Sequence, residues 1–269
     1  MSGPFDFTGQ HVFVAGGTSG INLGVAEAFA KAGAKVTVLS RKQDKVDAAV
    51  AKLKGHGAEA QGFAGDVRDA ARIEAVFAEA VAGFGELNVL ISGAAGNFPA
   101  PALGISPNGF KSVVDIDLLG TFHVVKAAFP HLKKPGGSIV NISAPQAYIP
   151  MDFQMHVCAA KAGVDMITRV GALEWGGFGV RLNSVVPGPI EDTEGMARLA
   201  PTPEAAEATR QSVPLGRYGT KDDIANTCMF LASPYATYIS GAIIPVDGGW
   251  SLGGVAAMSA TMKRAFMGQ

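Results

Sequence analysis

Short runs of β-branched and aliphatic residues alternate along this chain with longer alanine-rich stretches, and that alternation limits the folds open to it. HVFVAG at 11–16, KVTVLS at 35–40, LNVLIS at 87–92, GSIVNIS at 137–143, VRLNSVV at 180–186 and AIIPV at 242–246 read as strands. They are nearly continuous in apolar character, the pattern of strands covered on both faces. Helices are predicted between them, at about 20–33, 43–54, 69–84, 106–133, 155–176 and 220–232. Strand and helix taken in turn build a doubly wound α/β domain around a parallel sheet.

At 269 residues and 48% hydrophobic content the chain can bury a full core, and it shows no long linker or repeat, so one domain over 1–269 is expected. The stretch 187–214, rich in Pro, Glu and Thr, is expected to form a lid with weak structure of its own. The tail 251–269 has no clear place in the sheet, and is expected on another subunit or over a pocket. A net charge of -1 argues against a nucleic-acid partner. Cys158 and Cys228 are too few for a disulfide framework or a four-thiolate site, and read as buried apolar residues; no metal is expected. No apolar run reaches the ~20 residues needed to span a bilayer, and MSGPFDFTGQ and MGQ match no signal peptide or peroxisomal address, so the expectation is a cytoplasmic protein.

The first strand runs into AGGTSGIN at 15–22 and then a helix. Glycines there let a backbone turn tightly and approach a pyrophosphate, while a helix N-terminus supplies N–H donors. Gly16 and Gly20 stand in the expected places, with Thr18, Ser19 and Ile21 between and beside them; Asn22 replaces a third glycine. The second strand ends in SRKQ. An acidic residue at that point would bind the ribose hydroxyls of NAD, whereas Ser40 and Arg41, supported by Lys42, suit a 2'-phosphate, so NADPH is the expected cofactor.

With these motifs, GDV at 65–67, SGAAG at 92–96, NSVVPGPI at 183–190 and VDGG at 246–249, the chain resembles the short-chain dehydrogenase/reductase family over almost its whole length. The resemblance implies a Rossmann-type domain with a mostly parallel seven-stranded sheet. It implies that Asp66 and Val67 flank the adenine, that Ala94 lines the cofactor cleft, and that Pro187, Gly188 and Ile190 border the nicotinamide. It also implies a homotetramer assembled through the helices at 106–133 and 155–176.

Most members of that family carry Tyr and Lys on one helix face at i and i+4, with a serine some way before. The ammonium lowers the phenol pKa, and the phenol protonates a carbonyl oxygen. Here Lys161 is present, but position 157 is valine and the serine position is Ala144. Tyr148 in the loop after the fifth strand reads as packing, with recruitment as a substitute acid the alternative. His156 is turned about 100° from the vacant position, a pocket-edge residue at best. In VVDIDLLGTF at 113–122, Asp117 occupies the family's usual asparagine position. Burying a carboxylate there is costly unless it is paired; pairing with Lys161 would offset that and could hold a water as proton source.

The combination of Val157, Asp117 and Lys161 resembles the peroxisomal-type 2,4-dienoyl-CoA reductase branch, as do AAGNF at 94–98, SPNGFK at 106–111 and PGPIEDTEGMARL at 187–199. That implies reduction of a 2,4-dienoyl-CoA to a 3-enoyl-CoA in unsaturated fatty acid breakdown, with Asp117 and Lys161 catalytic. It also implies that Phe98 lines the acyl channel, that Ser106 and Asn108 touch substrate, and that Arg198 meets an anionic part of coenzyme A. Each has a structural alternative: loop packing for Phe98, a helix N-cap for Ser106, a solvated lid residue for Arg198. Met196 and Met262 read as filler. The rival functions are reduction of another carbonyl or activated alkene, and a non-catalytic NADP-binding protein.

Overall fold

The computed structural model describes residues 5–267. Its strands are β1 His11–Ala15, β2 Lys35–Ser40, β3 Ala60–Ala64, β4 Val89–Ser92, β5 Ser138–Ile142, β6 Arg181–Pro187 and β7 Ile243–Val246. All pair in parallel, in the order β3-β2-β1-β4-β5-β6-β7. Six lie on the predicted runs. The seventh, β3, is the edge strand AQGFA, in which only Phe63 favours a strand while Gly and two Ala disfavour one.

The helices are α1 Gly20–Lys31, α2 Gln43–Gly55, α3 Ala70–Phe84, α4 Pro107–Val113, α5 Gly120–Ala128, α6 Met155–Trp175, α7 Glu194–Leu199, α8 Pro203–Ser212, α9 Lys221–Ala232 and α10 Gly254–Met267. Side chains alternate across a strand. In β1, Val12 and Val14 therefore join Phe29 of α1, Leu53 of α2 and Cys228 of α9 in one buried layer. Phe13 and Ala15 join Phe77 of α3 and Val125 of α5 in the other. Burying side chains of this size stabilises by about 1.5–3 kcal/mol each.

Three expectations change in the structure. The single helix expected over 106–133 is broken: α4 is followed by a π-helical turn at Val114–Leu119, then α5 and a 3-10 turn at Phe129–His131. The 187–214 segment is largely helical, because Thr193 and Thr202 each cap a helix by accepting the N–H of a residue in its first turn. The tail after Trp250 forms α10, which packs on its own chain: Met258 and Met262 are buried with Trp250, Val213 and Met151, and Met258 also borders the cleft described below. Among the described residues no helix is long and apolar enough to cross a membrane, and no cluster of His, Cys, Asp or Glu could hold a metal ion.

The chain travels outward from β1 to β3 and then crosses back to place β4 on the other side of β1. Ligands in such sheets bind in the crevice beyond the strand carboxyl ends at this reversal. The glycine loop after β1 and the SGAAG segment after β4 both open there.

Candidate active site

A cleft of about 470 Å³ lies at that reversal. Its floor begins with Gly16, whose φ of +77° and whose approach to the neighbouring segment exclude a side chain: a Cβ there would lie 2.9 Å from Ala94 Cα. Thr18, Ser19, Gly20 and Ile21 follow along the cleft wall, and α1 starts at Gly20, so the unpaired N–H groups of its first turn open onto the cleft. The backbone carries both a cradle and a positive dipole end for a pyrophosphate, so the residues present fit a dinucleotide.

Ser40, Arg41, Lys42 and Lys45 border the cleft at the end of β2. Arg41 and Lys42 are exposed and form no ion pair with any described residue. Asp66 borders it too, but its carboxyl is engaged by the Arg68 guanidinium at 2.6 and 3.0 Å, which holds its pKa below the usual carboxylate range. Val67 is buried and its carbonyl meets His123 Nδ1 at 2.8 Å, fixing the wall to α5. Ala94 lines the cleft from the β4 side; Pro187, Gly188 and Ile190 line it from the end of β6.

Asp117 and Lys161 meet at the inner end. Asp117 Oδ2 lies 3.4 Å from Lys161 Nζ, and the two side chains are 1% and 7% exposed. Asp117 Oδ1 accepts the Gly96 N–H at 2.7 Å, and Lys161 Nζ donates to the Ile142 carbonyl at 3.1 Å. The π-helical turn carries Asp117 to this position while its neighbour Asp115 pairs outward with Lys111. Wider turns of this kind recur at functional sites. Gly163, half a turn past Lys161, lets α6 close on the turn: a Cβ there would sit 2.6 Å from Leu118 Cδ1.

Val157 and Ala144 border the cleft where a phenol and a hydroxyl would otherwise project. Val157 is buried against Val113, Ala160, Phe98 and Leu118. Tyr148 is 47% exposed and does not border the cleft; burial of the rest of its ring lifts the phenol above its usual pKa, although a Ser251 contact opposes this. His156 is not at the pocket edge as expected. It is fully buried, its ring tilted 58° to that of Phe98 with centroids 4.4 Å apart, and neither ring nitrogen makes a well-formed hydrogen bond. Burial pushes its pKa down, against the opposing pull of the Phe98 backbone and the Asp117 charge.

The expected substrate contacts divide. Arg198 borders the cleft from α7, donating to the Asn97 carbonyl at 2.9 Å and to Glu194 at 3.1 Å. Phe98 is half-buried in the layer behind Val157. Ser106 and Asn108 are exposed and stand outside the cleft lining; the Ser106 hydroxyl caps α4 by accepting the Gly109 N–H at 3.0 Å. Met196 borders the cleft, whereas Met262 is buried in the cluster with Trp250 and Met258 and is not part of the cleft lining. Sequence reasoning missed Trp250, Met258 and Ser143 on the cleft wall. Only Ser143, next to the vacant Ala144, carried a local signal; the other two depend on how the tail folds back. Burial lifts the thiol of Cys228 to about 12 and raises that of Cys158, so neither is a thiolate near neutral pH.

A family model described as Enoyl-(Acyl carrier protein) reductase matches residues 15–251. A relative from Arabidopsis thaliana, named as a peroxisomal 2,4-dienoyl-CoA reductase producing the (3E)-enoyl-CoA, is 43% identical over 266 residues, covering 93% of this chain and 88% of the relative. A relative from Bacillus subtilis, named "Probable 2,4-dienoyl-CoA reductase" and producing the (2E)-enoyl-CoA, is 40% identical over 241 residues, covering 88% of this chain and 95% of the relative. Among solved structures, a short chain dehydrogenase from Bacillus anthracis superposes with a TM-score of 0.83 at 37% identity, covering 90% of this chain and 96% of that one. The cytoplasmic expectation does not stand against these findings: the Arabidopsis relative and others of similar identity carry peroxisomal names.

Proposed function

The chain belongs to the short-chain dehydrogenase/reductase family and is an oxidoreductase with a nicotinamide cofactor, and on that footing we propose that it reduces 2,4-dienoyl-CoA thioesters to 3-enoyl-CoA with NADPH, in the breakdown of unsaturated fatty acids. The observation that carries the proposal is the buried Asp117–Lys161 pair beside Val157 and Ala144. Reduction of a simple carbonyl needs an acid at oxygen, and the positions that supply one in this family are here an isopropyl and a methyl group. A decayed, non-catalytic site has no reason to keep a buried carboxylate held by a backbone N–H and an ammonium ion pair.

Held by the glycine loop and by Lys161, a nicotinamide cofactor would supply a hydride, for which the δ-carbon of the diene is the acceptor. The π-electrons then shift toward the thioester as an extended enolate, and the α-carbon takes a proton. Asp117 accepts a hydrogen bond from the water that gives this proton, and so orients it. An ammonium carries three donors; Lys161 gives one to the Ile142 carbonyl and faces Asp117 as an ion pair at 3.4 Å, which leaves a donor for a ribose hydroxyl. The Lys161 charge stabilises the developing anion and neutralises the hydroxide left when water protonates carbon.

Arg41 and Lys42 are the groups for a 2'-phosphate, because they are charged, unpaired and at the end of β2. Arg198 suits a phosphate of coenzyme A through its planar fork, and Phe98 backs the acyl channel through Val157. Ser106 and Asn108 lie where only the outer part of the acyl-CoA would reach. A homotetramer is supported by apolar groups left exposed on two helices: Phe122 on α5, and Met166, Val170 and Leu173 at helical spacing on α6.

The (2E) product of the Bacillus subtilis relative marks the competing outcome. Turnover of 2,4-hexadienoyl-CoA with NADPH in deuterated water separates them. Deuterium at the α-carbon of a 3-enoyl product supports the proposal. Deuterium at the γ-carbon of a 2-enoyl product overturns its regiochemistry, and no NADPH oxidation at any chain length overturns the activity.

A further inference from the structure

The third position of the glycine loop should be a bare spot that lets α1 pack closely, yet it holds Asn22, 9% exposed and bordering the cleft. Its side chain is not folded away. Asn22 Nδ2 donates to the Gly93 carbonyl at 2.7 Å, across from the phosphate loop to the first residue after β4. The space the amide occupies is open only because two glycines face it. A Cβ on Gly93 would lie 2.3 Å from Asn22 Oδ1 and 2.5 Å from Nδ2, distances no real side chain tolerates. A Cβ on Gly16 would lie 3.2 Å from Nδ2 as well as pressing on Ala94.

Two further observations give this contact a direction. With Nδ2 committed to Gly93, Asn22 Oδ1 is a buried acceptor with no partner, a condition native proteins rarely leave unmet. The Gly93–Gly96 segment ends in the N–H that Asp117 Oδ1 accepts at 2.7 Å. The segment is thus tied at one end to the phosphate loop and at the other to the carboxylate of the active site.

We propose that Asn22 is a dinucleotide-binding and positioning residue, whose Nδ2 latches the phosphate loop to the Gly93–Gly96 segment and whose Oδ1 accepts a hydroxyl of the bound dinucleotide. The inference rests on the nicotinamide site but not on the acyl substrate. Gly93 is the other half of the device: it is glycine because Asn22 is asparagine. Loss of one hydrogen bond and of the latch weakens binding by about tenfold, and equally for NADPH and NADH, since the contact is remote from the 2'-phosphate end of β2.

The test is a fluorescence titration of NADPH and of NADH into the purified chain, with Tm recorded for every variant. Asn22→Gly is expected to bind both cofactors about tenfold more weakly, and Asn22→Ala, which keeps the helix propensity, to do the same should the glycine variant fold poorly. Gly93→Ala is expected to weaken binding in the native background and to cost nothing further in Asn22→Gly, the non-additivity of groups in contact. Unchanged cofactor binding in Asn22→Ala, or an equal penalty for Gly93→Ala in both backgrounds, overturns the latch. A native chain that binds neither cofactor overturns the nicotinamide site itself, a different failure.

Discussion

Asp117 Oδ2 stands 3.4 Å from Lys161 Nζ at the inner end of the cleft, with both groups almost wholly buried and each held by a second, backbone partner. The pair replaces a Tyr–Lys arrangement on one helix by an Asp–Lys arrangement between two. A phenol at i and a lysine at i+4 need only a single helix. Here the carboxylate must be brought in from the π-helical turn, whose wider winding and contact with Gly163 of α6 set the separation.

The vacancy at Val157 cannot be refilled at will. Val157 borders the cleft but is packed on its inner side against Val113, Ala160, Phe98 and Leu118, so the larger ring of Val157→Tyr strains that layer as it enters the cleft and is expected to destabilise by about 1–3 kcal/mol. Denaturant unfolding reads that loss, and assays with simple ketones are expected to show no carbonyl reduction. Robust ketone reduction by this variant would mean that the rest of the ordinary site is intact.

Tyr148→Phe is expected to leave kcat/KM for a dienoyl-CoA within about twofold. The side chain is half-exposed, stands off the cleft and contacts Ser251. A loss of two or more orders of magnitude would recruit it as the acid after all.

Arg41→Ala is expected to weaken NADPH by about ten- to a hundredfold, the worth of charge-assisted hydrogen bonds to phosphate, while leaving NADH nearly unchanged. Fluorescence titration with both cofactors checks this. Equal losses would show that Arg41 serves the adenosine common to both and does not discriminate between them.

Acid sensitivity follows from two buried imidazoles. Burial lowers the pKa of His11, against a Gly85 carbonyl contact, and that of His156, from the usual value of 6.5. The unfolded chain therefore takes up protons first as pH falls, so this stability is complete above about 6.5 and is lost on descent through it toward the folded values. Tm is expected to be level from pH 8 to 7 and to fall toward pH 5. His156→Leu removes two buried nitrogens that make no well-formed hydrogen bond and is expected to be neutral or stabilising at pH 7, with a shallower acid slope. A steeper slope, or lost turnover at unchanged stability, would contradict this account of His156.

The sheet was readable because apolar continuity and helix spacing are local signals, and the bounds of five of the six predicted helices agree with the structure to within a few residues. β3 escaped because AQGFA earns its place through pairing with β2, a tertiary term absent from its own composition. The break in the 106–133 helix was invisible for a similar reason: VVDIDLLGTF has unbroken apolar periodicity, and only packing against α6 shows that a π-helical turn is the better fit. At the site, Asp117 and Lys161 stood out as departures from a spacing with known chemistry. Asn22 was legible only as a missing glycine; that its amide fits because position 93 is glycine requires the three-dimensional contact.

The account stands on the Asp117 carboxylate, and Asp117→Asn keeps its shape while removing its charge. The direct measurement is steady-state NADPH oxidation with a 2,4-dienoyl-CoA, alongside NADPH affinity for the same variant. A drop in kcat of at least about a hundredfold with affinity within about twofold is the expected result. Turnover equal to that of the native chain would contradict it, and the proton would have to come from elsewhere.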